Sequence, residues 1–340
     1  MGSFSPRKFI LLSTPRTASN LFVKILSLDD QPSVVEGGRR GYFFIQTFES
    51  KLFDHKVAGE PIDAWPEDVK VGLKKLYQEC SDNLQKEVQI AASQNKDMFF
   101  KEHVAWITDP VDESKLLHGE DSTTEEPWLV NVPSTIQDKT RSPLNRTIFP
   151  DSFWHGFHPT FLIRHPALAF PSLYRAAADL LGKEEVVNQC PFRIEMTYTP
   201  ARLLFDWYNE HLDTSSKETN EPGINWPIVM DADDVIMEPE VLMRYSKALG
   251  FDSTKLKHEW KPVSAEDIAK QDEKSNRMLS TLNSSDGILK NKTAVGLDLA
   301  EEAKKWREEF GEEEGALLEG LVRDAMPDYE HLRARRLTPQ

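Results

Sequence analysis

Phe9-Ile10-Leu11-Leu12, running directly into Ser13-Thr14-Pro15-Arg16-Thr17-Ala18-Ser19-Asn20-Leu21-Phe22, is the stretch on which the fold turns. The apolar run predicts a buried strand, Pro15 and the small hydroxyl residues interrupt it, and Leu21, Phe22, Ile25, Leu26 and Leu28 resume at helical spacing. The first turn of a helix leaves backbone N–H groups without partners and carries the positive end of the dipole. A phosphate or sulfate placed there gains hydrogen bonds and charge complementarity together. Arg16, Thr17 and Ser19 add side-chain donors at the same point. A plain buried strand with a capped helix has the same local pattern, so the rest of the chain must separate the two.

Three further apolar runs read as strands: Met98 to Phe100, Thr160 to Ile163 and Pro227 to Met230, each separated from the next by helical material. Such alternation predicts an α/β fold, a three-layer parallel sheet flanked by helices, with the ligand at the carboxyl ends of the strands. Between the first two strands, Val69, Leu73, Leu76, Tyr77, Cys80, Leu84, Val88 and Ala91 recur at three- and four-residue intervals and mark an amphipathic helix. We expect a single domain over residues 1–340. Within it, the Pro-, Ser-, Thr- and acid-rich stretch at about 109–159, with Trp128 and the cluster Phe149 to His158, reads as an insertion or lid. Residues 263–340 read as a polar helical C-terminal region ending in one helix from about Leu299 to Met326. The aromatic run Tyr42 to Phe48, after the glycine-rich Gly37 to Gly41, suits either the core or the wall of an apolar pocket.

Composition narrows the function. The 340 residues carry 41 Lys and Arg against 56 Asp and Glu, a formal charge of -15, which disfavours generic binding to nucleic acid or an anionic membrane, so any basic anion pocket has to be local. Cys80 and Cys190 sit in no metal-type spacing and read as reduced thiols; no metal site is expected. The first apolar run is too short for a signal sequence or a span, and the expectation is a soluble, cytoplasmic protein.

Two more strand ends carry chemistry. Arg164 follows the Thr160 to Ile163 strand, and Pro171 fits the first position of a helix, which would put Ser172 in its first turn as a second anion site. Lys101 and His103 end the Met98 strand two residues apart and therefore on one side of it. A histidine there can accept a hydroxyl proton near neutral pH while the lysine offsets charge on a transferring group. Two phosphate-type sites at neighbouring strand ends suggest a nucleotide with separated phosphates.

Together these segments resemble the cytosolic-type sulfotransferases that use 3′-phosphoadenosine 5′-phosphosulfate. Thr14-Pro15-Arg16-Thr17-Ala18-Ser19-Asn20-Leu21 is similar to the family's T-Y-P-[KR]-S-G-T-T-W loop, Lys101-Glu102-His103 to its K-T-H segment, and Arg164 with Ser172 to its R-x7-S element. Val229-Met230-Asp231-Ala232-Asp233-Asp234, then Pro239, Tyr245 and Leu249-Gly250-Phe251, is similar to its strand, acidic turn and following helix. Ala18 stands where the family has glycine. The C-terminal basic glycine motif has no clear counterpart, Lys290 and Lys292 near Gly287 being the nearest.

The resemblance implies a P-loop-like fold and a metal-free sulfuryl transfer to a hydroxyl of a small acceptor, in which an aromatic or apolar alcohol would suit the aromatic stretches. It implies that Arg16, Thr17, Ala18, Ser19 and Asn20 hold the 5′-phosphosulfate, with Arg164 and Ser172 on the 3′-phosphate. His103 would be the catalytic base, helped by Lys101 and Arg16. Two alternatives stay open: the same fold turned to a non-sulfating acid–base reaction such as elimination or cyclisation, and a phosphotransferase. The second lacks the G-x4-G-K-[ST] loop that wraps phosphate and places a hydroxyl on magnesium. A homodimer is compatible with everything above.

Overall fold

In a computed structural model the chain is described at residues 6–39, 41–133, 139–182, 186 and 191–339. The elements used below are β1 (Lys8–Ser13), α1 (Ser19–Leu26), β2 (Val34–Glu36), α2 (Glu67–Ser93), β3 (Asp97–His103), β4 (His158–Ile163), α3 (Pro166–Leu181), α4 (Thr199–His211), β5 (Ile228–Asp231), α5 (Pro239–Leu249), α6 (Glu273–Ser284), α7 (Leu299–Phe310) and α8 (Glu312–Arg333). The five strands form one parallel sheet in the order β2-β3-β1-β4-β5. Parallel strands covered by helices on both faces need apolar residues on both faces. Phe9, Ile10, Leu11 and Leu12 of β1, at the centre of the sheet, are accordingly all buried.

Register is what assembles the site. Ser13 at the end of β1 lies opposite His103 of β3 on one side and Leu162 of β4 on the other, so the loops leaving three central strands start level with one another. β3 runs three residues past its apolar core. Lys101, Glu102 and His103 stay buried in the ladder because each finds a polar or aromatic partner there.

Several expectations are corrected. β2, three residues at the sheet edge, carried no periodic signal. α3 starts at Pro166, where the ring nitrogen of His165 caps Ala167 N–H at 3.2 Å, so Pro171 lies inside the helix and Ser172 sits beyond its first turn. The single terminal helix is a hairpin of α7 and α8, broken at Gly311 with φ 112°. Within the stretch 109–159, Trp128, Ile148, Phe149, Phe153, Trp154 and Phe157 are buried, and Arg141 and Arg146 form an ion-pair network with Asp109 and Asp112. Cys80 is buried, its thiol pushed up to about 12 by that burial, while Cys190 lies outside the described residues. Among the described residues no helix is long and apolar enough to cross a membrane.

Candidate active site

Between β1 and α1 the backbone turns left-handed at both Arg16 and Ala18, each with φ 65°. Alternating left-handed and ordinary residues curls a main chain so that successive N–H groups converge on one point, a concavity suited to an anion. Thr17 Oγ1 is spent within the turn, donating to the Thr14 carbonyl at 2.8 Å, and Ala18 O accepts from Phe22 N at 2.9 Å to open α1. Ala18 thus holds the glycine-type conformation at its own steric cost.

Beside this loop lies a pair of arginines. Arg16 Nε donates to Ser172 Oγ at 3.0 Å and Arg16 Nη1 to the Met278 carbonyl of α6 at 2.6 Å. Arg164 Nη1 donates to the Arg16 carbonyl at 3.0 Å and Nη2 to the Lys292 carbonyl at 2.8 Å, while its buried Nε has no hydrogen-bond partner. Among the described residues neither guanidinium is in an ion pair; their hydrogen-bond partners are a hydroxyl, neutral carbonyls and the Met278 thioether. Burial, with Arg277 and Arg164 adding repulsion, lowers Arg16 to about 10. An anion would relieve that uncompensated charge.

Across the site stands His103. Its Nδ1 is 2.9 Å from Ser13 Oγ, which in turn donates to the Glu102 carbonyl at 3.5 Å. In the tautomer whose Nδ1–H donates to Ser13 Oγ, Nε2 is the acceptor, facing Tyr42 OH at 3.3 Å. Tyr42 OH also meets Ser19 Oγ at 3.3 Å, so a hydroxyl chain joins the histidine to the start of α1. Burial first, then the positive Lys101, lowers His103 to about 3, and the imidazole is neutral at ordinary pH. Lys101 Nζ donates to Asn20 Oδ1 and sits 4.5 Å from the centre of the Tyr42 ring. The segment that carries Tyr42 is pinned by Glu102, whose Oε1 accepts from the N–H groups of Phe43 and Phe44.

These groups meet around a cavity of about 420 Å³. Arg16, Ala18, Ser19, Asn20, His103, Arg164 and Ser172 line it, with Tyr42, Phe48, Trp106 and Phe192 as aromatic walls. α6 and the turn at Gly287 to Lys292 close it from above.

No family model matches the chain. Sulfotransferase ppzF of Metarhizium majus is 38% identical over 334 residues, spanning 98% of this chain and 97% of that protein. Sulfotransferase ppzF of Metarhizium rileyi is 37% identical over 332 residues, spanning 98% and 96%. This chain belongs to the sulfotransferase family. Among solved structures, the sulfotransferase domain of the Synechococcus PCC 7002 olefin synthase aligns over 86% of this chain and 88% of its own, at 10% identity and a TM-score of 0.36.

In this sulfotransferase, seven of the nine residues singled out from sequence lie on the cavity wall; Thr17 and Lys101 do not. Thr17 braces the loop from behind. Lys101 lies under Tyr42 and bonds Asn20, one layer back. Sequence reading left Ser13 without a role, left Tyr42 open between core and pocket, and missed Glu195 and the Met278 carbonyl. Tyr42 had a signal in its aromatic run beside glycines; Glu195, in a short turn (Arg193–Glu195), had none. Gly287 and Lys292, the nearest counterparts to a basic glycine motif, do reach the cavity, and Lys292 meets Arg164 through its carbonyl.

Proposed function

We propose that this enzyme moves a sulfuryl group from 3′-phosphoadenosine 5′-phosphosulfate to a hydroxyl of a small organic acceptor, with His103 as general base. The observation that carries this is the placement of a neutral histidine on the wall of the same cavity as two buried arginines that form no ion pair among the described residues. Bound there, the nucleotide supplies an activated sulfuryl group. The unpartnered Arg164 Nε and the left-handed loop fit an anionic nucleotide, which Arg16, Arg164, Ser172 and the amides after Thr14 would hold.

The chain's own contribution is positional and protonic. With Nδ1–H donating to Ser13 Oγ, Nε2 takes the acceptor proton as its oxygen attacks. Lys101, through Asn20 and the Tyr42 ring, holds the α1 start and the histidine partner in register. Phe48, Trp106 and Phe192 exclude water around an aromatic or apolar acceptor body.

The test is a calorimetric titration with adenosine 3′,5′-bisphosphate alongside a sulfation assay. Binding in the micromolar range, weakened by Arg164→Ala, is expected; absence of binding would sink the donor assignment. His103→Ala should keep that binding and lose about 10²–10⁴-fold in turnover. Turnover retained within a few-fold would remove His103 from the base role.

A further inference from the structure

The acceptor side of the cavity holds a carboxyl group for which the transfer step has no use. Glu195 lines the cavity at 1% exposure; its Oε1 accepts from Trp106 Nε1 at 2.6 Å, and its Oε2 has no hydrogen-bond partner. An unmatched buried polar atom is destabilising, so a ligand that supplies the missing donor recovers that loss. Glu102 makes the contrast. It too leaves Oε2 unpartnered, but it lies off the cavity and its other oxygen is taken by two backbone N–H groups.

The surroundings of Glu195 narrow the ligand. Phe48 stacks on Trp106 with ring centres 5.3 Å apart, Tyr42 lies 5.0 Å from Trp106, and Phe192 lies 6.2 Å from Phe48. Aromatic rings beside a buried carboxyl oxygen are the combination that holds a cationic nitrogen, by ring quadrupole and by charge-assisted hydrogen bond. The same cavity is lined by Arg16 and Arg164 as well as by this acid. His103 stands near the acid, its ring centre 4.4 Å from that of Trp106, whose indole N–H holds Glu195.

We propose that Glu195 determines acceptor specificity, and that the acceptor carries a cationic nitrogen, of the ammonium or guanidinium class, on the same small molecule as the hydroxyl offered to His103. The hydroxyl half of this statement rests on the sulfotransferase reading above; the cation half does not. Burial pushes the Glu195 carboxyl up to about 8, against the Trp106 hydrogen bond and the charge of Lys51, which is itself paired with Glu113. A cation seated on Oε2 supplies the countercharge, and the carboxyl proton leaves to solvent.

The experiment titrates wild type and Glu195→Gln, with and without saturating adenosine 3′,5′-bisphosphate, with tyramine and with its neutral isostere para-propylphenol. Glutamine keeps an acceptor for Trp106, and a thermal melt verifies that the variant folds. Wild type should prefer tyramine by about ten-fold or more, the size of one charge-assisted hydrogen bond. In Glu195→Gln the preference should vanish with para-propylphenol affinity unchanged. Equal or better binding of the neutral probe to wild type, binding of neither probe, or a preference that survives in the variant overturns the proposal. If the variant does not fold, the wild-type comparison decides alone. Loss of bisphosphate binding would sink the donor assignment and leave the cation preference readable without nucleotide.

Discussion

Ala18 shows how a residue can depart from a family pattern while the backbone keeps it. A left-handed alanine is strained by about 1–2 kcal/mol, partly offset by the smaller entropy it loses on folding compared with glycine. Ala18→Gly should therefore stabilise the protein by about 0.5–1 kcal/mol in chemical denaturation and leave bisphosphate affinity within a few-fold. Destabilisation would mean that the alanine methyl packs more favourably than its torsion costs. At this scale the sequence was legible where a residue type and a strand end coincide, as at Arg16, His103 and Arg164. It was silent where function comes from a tertiary neighbour. Glu195 is one of 56 acidic residues and acquires meaning only from the Trp106 indole that meets it.

Elements followed the apolar pattern where they were long and broke from it where a single glycine or a short edge decided. β1, β3, β4, β5 and α2 stand out because parallel strands and a sheet-covering helix must bury apolar residues continuously. The α7–α8 break was hidden because helical spacing resumes after Gly311 almost in phase, with Trp306, Phe310, Leu318 and Leu321 all turned inward. The hairpin closes at Gly315, where an added Cβ would come 2.6 Å from the backbone of Arg307. Gly315→Ala must then push the two helices apart. A loss of about 1–3 kcal/mol, read as a lower denaturation midpoint, is expected; an unchanged midpoint would show that the hairpin yields freely.

For the whole molecule, buried acids set the response to pH. Glu102 and Glu195 are each raised to about 8 by burial, so the folded chain keeps protons that the unfolded chain gives up above about 4.5. Their stabilising effect is complete below that value and is lost as pH rises through 8. His103, lowered to about 3, and His158, lowered to about 4, act the other way, but only below about 6.5. Between pH 6.5 and 8 these two glutamates act together with Asp109, which burial likewise raises to about 8, and the melting temperature should fall, by up to about 1.4 kcal/mol of stability per pH unit for each group. A midpoint that rises across this window would contradict the assignment, and Glu102→Gln should flatten the slope. The scaffold of sheet and covering helices was legible at this scale, but the role of residues 109–159 was not. Polar composition suggested a lid, while the few aromatic residues in it decide the packing. The roof over the cavity has a temporal consequence. Arg16 is separated by 262 residues from the Met278 carbonyl that holds it. A nascent chain paused before α6 would carry both arginines and the histidine around an open bowl, so the cavity closes only once α6 has been made.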